Sequence, residues 1–178
     1  PGFAGDGTLI IEVGQADRAN AGLLEPSGEI VVFGESDNGS PSDREGIFQR
    51  ISEAGVPTTL ARFPASAFGC SVPRTFRSGI RLGNGNYATG GYVQGSCGGI
   101  PRWVNAFELS ENGLIIEEYD AAVFSNQLAY IAAMSEQSDG RVVAVGFAST
   151  SGSDAESFDI AVARFTTGGA LDPSFRTA

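Results

Sequence analysis

The stretch SDGRVVAVGFASTSGSDAESFDIAVARFTTGGALDPSF, residues 138–175, decides how this chain folds. It opens on an Asp139-Gly140 turn, runs through a small apolar strand at 142–146, crosses a polar loop and enters a second strand at 160–165. A Gly168-Gly169 turn and the segment LDPSF close it. Asp-Gly between two apolar runs signals a hairpin, because a type I′ turn needs positive φ at both central residues. No segment carries a sustained helical repeat with caps, so the unit reads as strand throughout.

Fainter copies lie upstream. Ser27-Gly28, Asn84-Gly85 and Asp139-Gly140 are each followed by an apolar strand ending in glycine: IVVFG, YATGG and VVAVG. Those terminal glycines, Gly34, Gly91 and Gly146, are 57 and 55 residues apart. A second marker drifts in step with the first: QRISEAG at 49–55, FELSENG at 107–113 and ARFTTGG at 163–169. Two markers moving together define a real period. The units fall at about 1–55, 56–113 and 114–169, with 170–178 starting the next repeat or closing the ring. Each is expected to hold four strands: 8–14, 19–25, 29–36 and 46–52; then 57–64, 70–82, 86–96 and 103–110; then 114–120, 127–136, 141–149 and 158–166.

Strands such as IVVFG and VVAVG are apolar at consecutive positions, which requires cover on both faces. Four-stranded sheets stacked at a period of about 55 residues supply that cover, and this is how the blades of a β-propeller pack. The expected fold is all-β: a β-propeller segment of three four-stranded antiparallel blades. Closed propellers have about four to eight blades. Three blades are therefore a partial ring, or half of a six-bladed assembly completed by a homo-oligomer. The DPxF-like segments at both chain ends (Pro1-Gly2-Phe3 and 171–175) and the lack of an initiator Met favour a piece of a longer parent chain.

The third unit, with DGRVVAVG, FDIAVARF and ALDPSF, resembles the delta-60 repeat family of bacterial β-propeller repeats. The first unit keeps SGEIVVFG; the second departs most, with Glu108 in place of Arg164 and an insertion around 73–79. The resemblance implies a secreted or surface-attached bacterial protein and no defined activity.

Composition removes many functions. The formal charge is −10 and all 11 basic residues are Arg, so nothing here could neutralise a run of phosphates or bind an anionic membrane. No apolar run approaches the 18 or so residues of a membrane span. With no His and no Lys, imidazole catalysis, Schiff-base chemistry and a P-loop lysine are all excluded.

The remaining candidates are few. If Gly83-Asn84 forms a two-residue turn, Cys70 and Cys97 become directly opposed, within disulfide reach. If Asn84-Gly85 forms it, the pair is diagonal and a bulge is needed; two buried thiols are the other reading. A disulfide places the protein in an oxidising compartment. Arg74, Arg77 and Arg102, with Tyr92 and Trp103, form the one concentration of partner-anchoring residues, a site for a protein or glycan ligand. Packing between blades is the alternative reading for those aromatic residues. The acidic loops holding Asp37, Asp43, Asp154 and Glu156 have oxygen ligands that suit Ca²⁺ but match no EF-hand, and solvated loops are the plainer reading; no metal or other cofactor is expected. Glu12, Glu117, Glu118 and Asp120 offer no pair at catalytic separation, and alternation sends Glu117 and Glu118 to opposite faces. The expected role is a non-catalytic binding or scaffolding module, with a carboxylate- or Tyr-dependent glycan hydrolase or lyase as the alternative.

Overall fold

The Val-, Ile-, Phe- and Thr-rich runs become strands, as side chains that pack well on a pleated surface should. A computed structural model describes residues 3–37, 39–40, 43–64, 74–93, 96–97, 100–101, 104–119, 129–149 and 158–175. The strands are β1 (Ala16–Leu24), β2 (Ile30–Asp37), β3 (Glu45–Ile51), β4 (Pro57–Phe63), β5 (Arg74–Arg81), β6 (Tyr87–Val93), β7 (Ser96–Cys97), β8 (Ile100–Pro101), β9 (Val104–Leu109), β10 (Ile115–Glu118), β11 (Ala129–Glu136), β12 (Val142–Ser149) and β13 (Phe158–Phe165). Among the described residues there is no α-helix, a 3₁₀ turn lies at Pro173–Phe175, and no helix is long and apolar enough to cross a membrane.

Three antiparallel sheets result, ordered β1-β2-β3-β4, β5-β6-β9-β10 and β11-β12-β13, with β7 and β8 pairing as a small separate hairpin. The strands follow the expected ones closely, but their grouping differs. Residues 57–63 and 115–118, expected to open the second and third units, pair with β3 and β9 instead and form the outer strands of the preceding sheets. Sequence unit and sheet are thus one strand out of phase. In the third sheet Leu171 bridges Phe165 at the corresponding place. The expected strand at 8–14 belongs to no sheet; residues 9–13 lie over the outer face of the first sheet.

The hairpin turns also differ from the type I′ expectation. In all six, residue i accepts from the amide of the glycine at i+3, as Glu25 does from Gly28, and donates to the carbonyl at i+4. Only the glycines have positive φ, between 74° and 91° at Gly28, Gly55, Gly85, Gly113, Gly140 and Gly169. This is a type I turn followed by a glycine bulge. Pro26 is a sequence sign of it, since its ring fixes φ near −65° as position i+1 requires. Asn84 and Asp139 serve another purpose: each side chain accepts a backbone N–H two residues on, at 2.9 and 3.1 Å.

Cover on both faces is present in the middle sheet, which has a neighbour on each side, whereas the third sheet, which holds VVAVG, has one neighbour and leaves Val145 exposed. Alternate residues of β6 face opposite ways, so Tyr87 enters a cluster with Val31, Phe33, Phe48, Phe76, Phe107 and Leu109, while Ala88 enters another with Ile131, Met134, Val142 and Phe165. Bulk on one sheet answers space on the next. A Cβ on Gly79 would stand 2.1 Å from the Phe33 ring, and one on Gly90 would stand 2.9 Å from the Met134 sulfur. Phe33, Phe48, Phe76 and Phe107 are fully buried.

The glycine marker has a backbone cause. β1, β5 and β11 each carry a bulge, at Asn20, Arg77 and Ala132, opposite Gly34, Gly91 and Gly146. A Cβ on those glycines would lie 2.0, 1.9 and 1.9 Å from the carbonyl oxygens of Arg18, Thr75 and Tyr130. Nothing larger fits beside the bulge.

Candidate functional site

The bulge on each of the edge strands β1, β5 and β11 aims one extra side chain away from the ladder, a usual way to direct a residue towards a site. Beside each bulge stands one cross-strand pair at the same register: Arg18 opposite Glu35, Thr75 opposite Tyr92, and Tyr130 opposite Phe147. These pairs continue from sheet to sheet as a band. The buried Glu35 carboxylate accepts from Arg18 at 2.9 Å and from the Thr75 hydroxyl of the next sheet at 2.5 Å, with Arg44 at 3.9 Å. Tyr92 in turn meets Tyr130 of the third sheet edge-to-face at 6.2 Å. Tyr130 packs on Phe147 at 4.0 Å between centroids, and Phe147 on Phe158 at 4.7 Å.

Arg77 occupies the centre of the band. Its guanidinium donates to Asn20 Oδ1 at 3.3 Å and to the Tyr92 hydroxyl at 3.5 Å, and lies 5.5 Å from the Tyr92 ring centre. Asn20 donates to the Phe76 carbonyl at 2.8 Å, so one bulge residue holds the next. Burial pushes the Tyr92 hydroxyl up, but its hydrogen bonds with Arg77 and Thr75 and the Arg77 charge outweigh this, leaving its pKa below the ordinary tyrosine value. The result is a half-buried patch with one cation, a polarised phenol and a row of aromatic rings. Such a patch can stack on a ring and donate hydrogen bonds.

The structure brings Arg77 and Tyr92 together and separates Arg74 from them. Arg74 is buried, with its guanidinium carbon 5.9 Å from the Phe107 ring centre and its amide donating to the Arg44 carbonyl. Arg102, Trp103 and Cys70 lie outside the described residues, as does the side chain of Cys97. Sequence reading missed Asn20, Thr75, Tyr130 and Phe147. Their signal is positional: 18, 75 and 130, like 35, 92 and 147, recur at the spacing of the glycine markers.

The other candidates are scattered. Asp37 Oδ1 accepts from the Gly39 amide at 2.9 Å, an Asx turn, Asp43 is exposed, and residues 153–156 lie outside the described residues. Among the described residues no three His, Cys, Asp or Glu side chains are grouped to hold a metal. Glu117 and Glu118 are exposed on β10 and Glu12 is exposed on the covering segment, while Asp120 lies outside the described residues.

No curated protein matches the chain. Residues 137–175 match the family model described as "Domain of unknown function (DUF5122) beta-propeller". That span covers the Asp139-Gly140 turn, β12, β13 and the LDPSF segment, so this part of the third unit is similar to a β-propeller repeat.

Proposed function

We propose that the three sheets are blades of a β-propeller of the delta-60 kind, and that this segment is a non-catalytic binding or scaffolding module of a secreted or surface-attached bacterial protein. The ligand is a protein or a glycan, engaged at Arg77 and Tyr92 with Tyr130 and Phe147 beside them; the sequence adds Arg102 and Trp103 as further candidates. No cofactor enters this reading. The carrying observation is the Asn20–Arg77–Tyr92–Tyr130 chain, which holds a cation and aromatic rings partly open in a molecule otherwise strongly acidic. Glycan-array binding and a peptide pull-down test it. Arg77→Ala and Tyr92→Ala should each weaken a captured ligand at least tenfold, as loss of an aromatic or Arg anchor does. Binding indifferent to both substitutions would refute the site.

The oxidising compartment rests on strand register. Opposed positions in β5 and β6 sum to 168 next to the turn and to 167 beyond the Arg77 bulge, from Phe76↔Gly91 to Arg74↔Val93. The second value is the register that opposes 70 and 97. Mass analysis with and without reductant should show a two-dalton difference if Cys70 and Cys97 are bonded, one hydrogen per sulfur; an unchanged mass excludes the bond.

A lyase or hydrolase reading draws on one observation, the lowered pKa of Tyr92 beside Arg77, which suits a phenol acting as a base. Turnover of any glycan captured on the array, abolished by Tyr92→Phe, would establish it over simple binding.

A further inference from the structure

We infer that this chain is self-complementary: the outer face of the third sheet docks on the outer face of the first sheet of a second copy, and two copies close a ring of six sheets. This rests on the propeller reading above. The two interfaces within the chain show how one sheet meets the next, and the repeat carries each contact to the open ends.

Phe33 of the first sheet sits on Gly79 of the second, and Gly90 of the second lies under Met134 of the third. The next pair in the series is Val145 against Gly22. Val145 is 38% exposed, and a Cβ on Gly22 would meet nothing nearer than the Val31 carbonyl at 3.8 Å. A neighbouring contact behaves alike. Gly46 lies under the Phe76 ring, and the corresponding pair at the ends is Ile160, 88% exposed, against Ala19. In both cases a bulky side chain faces a small one.

The polar band gives a third match. Glu35 meets Thr75, and Tyr92 meets Tyr130; next in order, Phe147 meets Arg18. The Arg18 side chain is 64% exposed and pairs with Glu35 through one of its terminal nitrogens, so the face of its guanidinium can lie on the Phe147 ring as a cation–π pair. On this face β1 is exposed at Arg18, Ala19 and Gly22, while residues 9–13 cover Ile47 and Ile51 around a cavity of about 370 Å³, so full docking displaces that segment. Among the described residues the third sheet leaves Val145, Phe158, Ile160 and Val162 open, whereas Phe33 and Gly90, equivalent to Val145, and Phe48 and Ala106, equivalent to Val162, are buried.

The test is the mass of the 178-residue chain in solution, at about 0.15 M salt so that repulsion between two −10 chains is screened beyond roughly 8 Å. Light scattering should give twice 18.4 kDa, and Val145→Glu and Val162→Glu should each give a single copy with an unchanged far-ultraviolet spectrum. The double variant Gly22→Cys/Val145→Cys should form a reducible covalent dimer, and neither single variant should. A wild-type monomer, a trimer or open chain, or a dimer indifferent to both glutamates would overturn the docking. Hydrogen exchange separates this from failure of the propeller reading. Slow β6 amides in a monomer leave the stacked sheets standing and remove only the second copy, whereas fast ones overturn the stack itself.

Discussion

The first and third sheets have the same backbone and opposite chemistry at the same places. Where the first has Arg18, Glu35 and Arg44 joined as ion pairs, the third has Tyr130, Phe147 and Phe158 joined ring to ring. Both pairs flank the same bulge and the same glycine. Backbone crowding leaves no freedom at the glycine, while the cross-strand pair has only to fill a volume and satisfy its polar atoms. The repeat therefore conserves shape and varies surface.

The sharpest way to break this comparison is to substitute the glycines. Gly34→Ala and Gly146→Ala should destabilise alike, by about 3 kcal/mol each, because each Cβ meets a carbonyl oxygen at 2.0 and 1.9 Å whatever the neighbouring chemistry. Unequal losses in urea unfolding would show that the side-chain pair, not the bulge, sets the requirement. Phe33→Ala should cost a comparable ~3–5 kcal/mol as a core truncation, against less than about 1 kcal/mol for Val145→Ala, its open counterpart, in the monomeric Val162→Glu background. A large Val145 loss in that background would mean that face is covered within one chain.

Glu35→Gln should cost about 2 kcal/mol, reduced from the ~3–5 of a fully buried pair because Arg18 is largely exposed, and added salt should shrink the difference. Phe147→Leu in the third sheet should cost about 1 kcal/mol and be indifferent to salt. Similar salt responses would dissolve the contrast between the two sheets.

The smallest effect is a pH dependence. Tyr119 is pushed up by burial first and then by Glu108, Glu136 and Glu117, and Tyr87 by burial and then Glu25. A phenol with a raised folded pKa contributes stability that is full below the unfolded value of about 10 and is lost as the pH rises past it. Tyr92, lowered in the folded state, contributes in the other direction, gaining as pH rises through its folded pKa towards 10. Unfolding midpoints should therefore fall between about pH 9.5 and 11.5, less steeply in Tyr119→Phe and more steeply in Tyr92→Phe. A slope that both variants leave unchanged would discount these assignments.

Part of the site was readable from residue types alone. Arg77 and Tyr92 are the sort of residues that anchor partners, and they do meet. Arg74 is the same type three residues away and is buried against Phe107. A bulge leaves no compositional trace at Asn20, Arg77 or Ala132, three unlike residues. Asn20 and Tyr130 were invisible as site residues for that reason.

By itself the sequence determined the period, the all-strand character and the need for cover on both faces, since glycine spacing and consecutive apolar residues act locally. The tertiary structure decided which sheet each strand joins. Residues 57–63 look the same as an opening or a closing strand, and only pairing with β3 makes them the latter. It also drew residues 9–13 over the first sheet instead of into a ladder. Pairing is settled by partners distant along the chain, whose backbone groups must all find hydrogen bonds at once, and no local run of residues records that outcome.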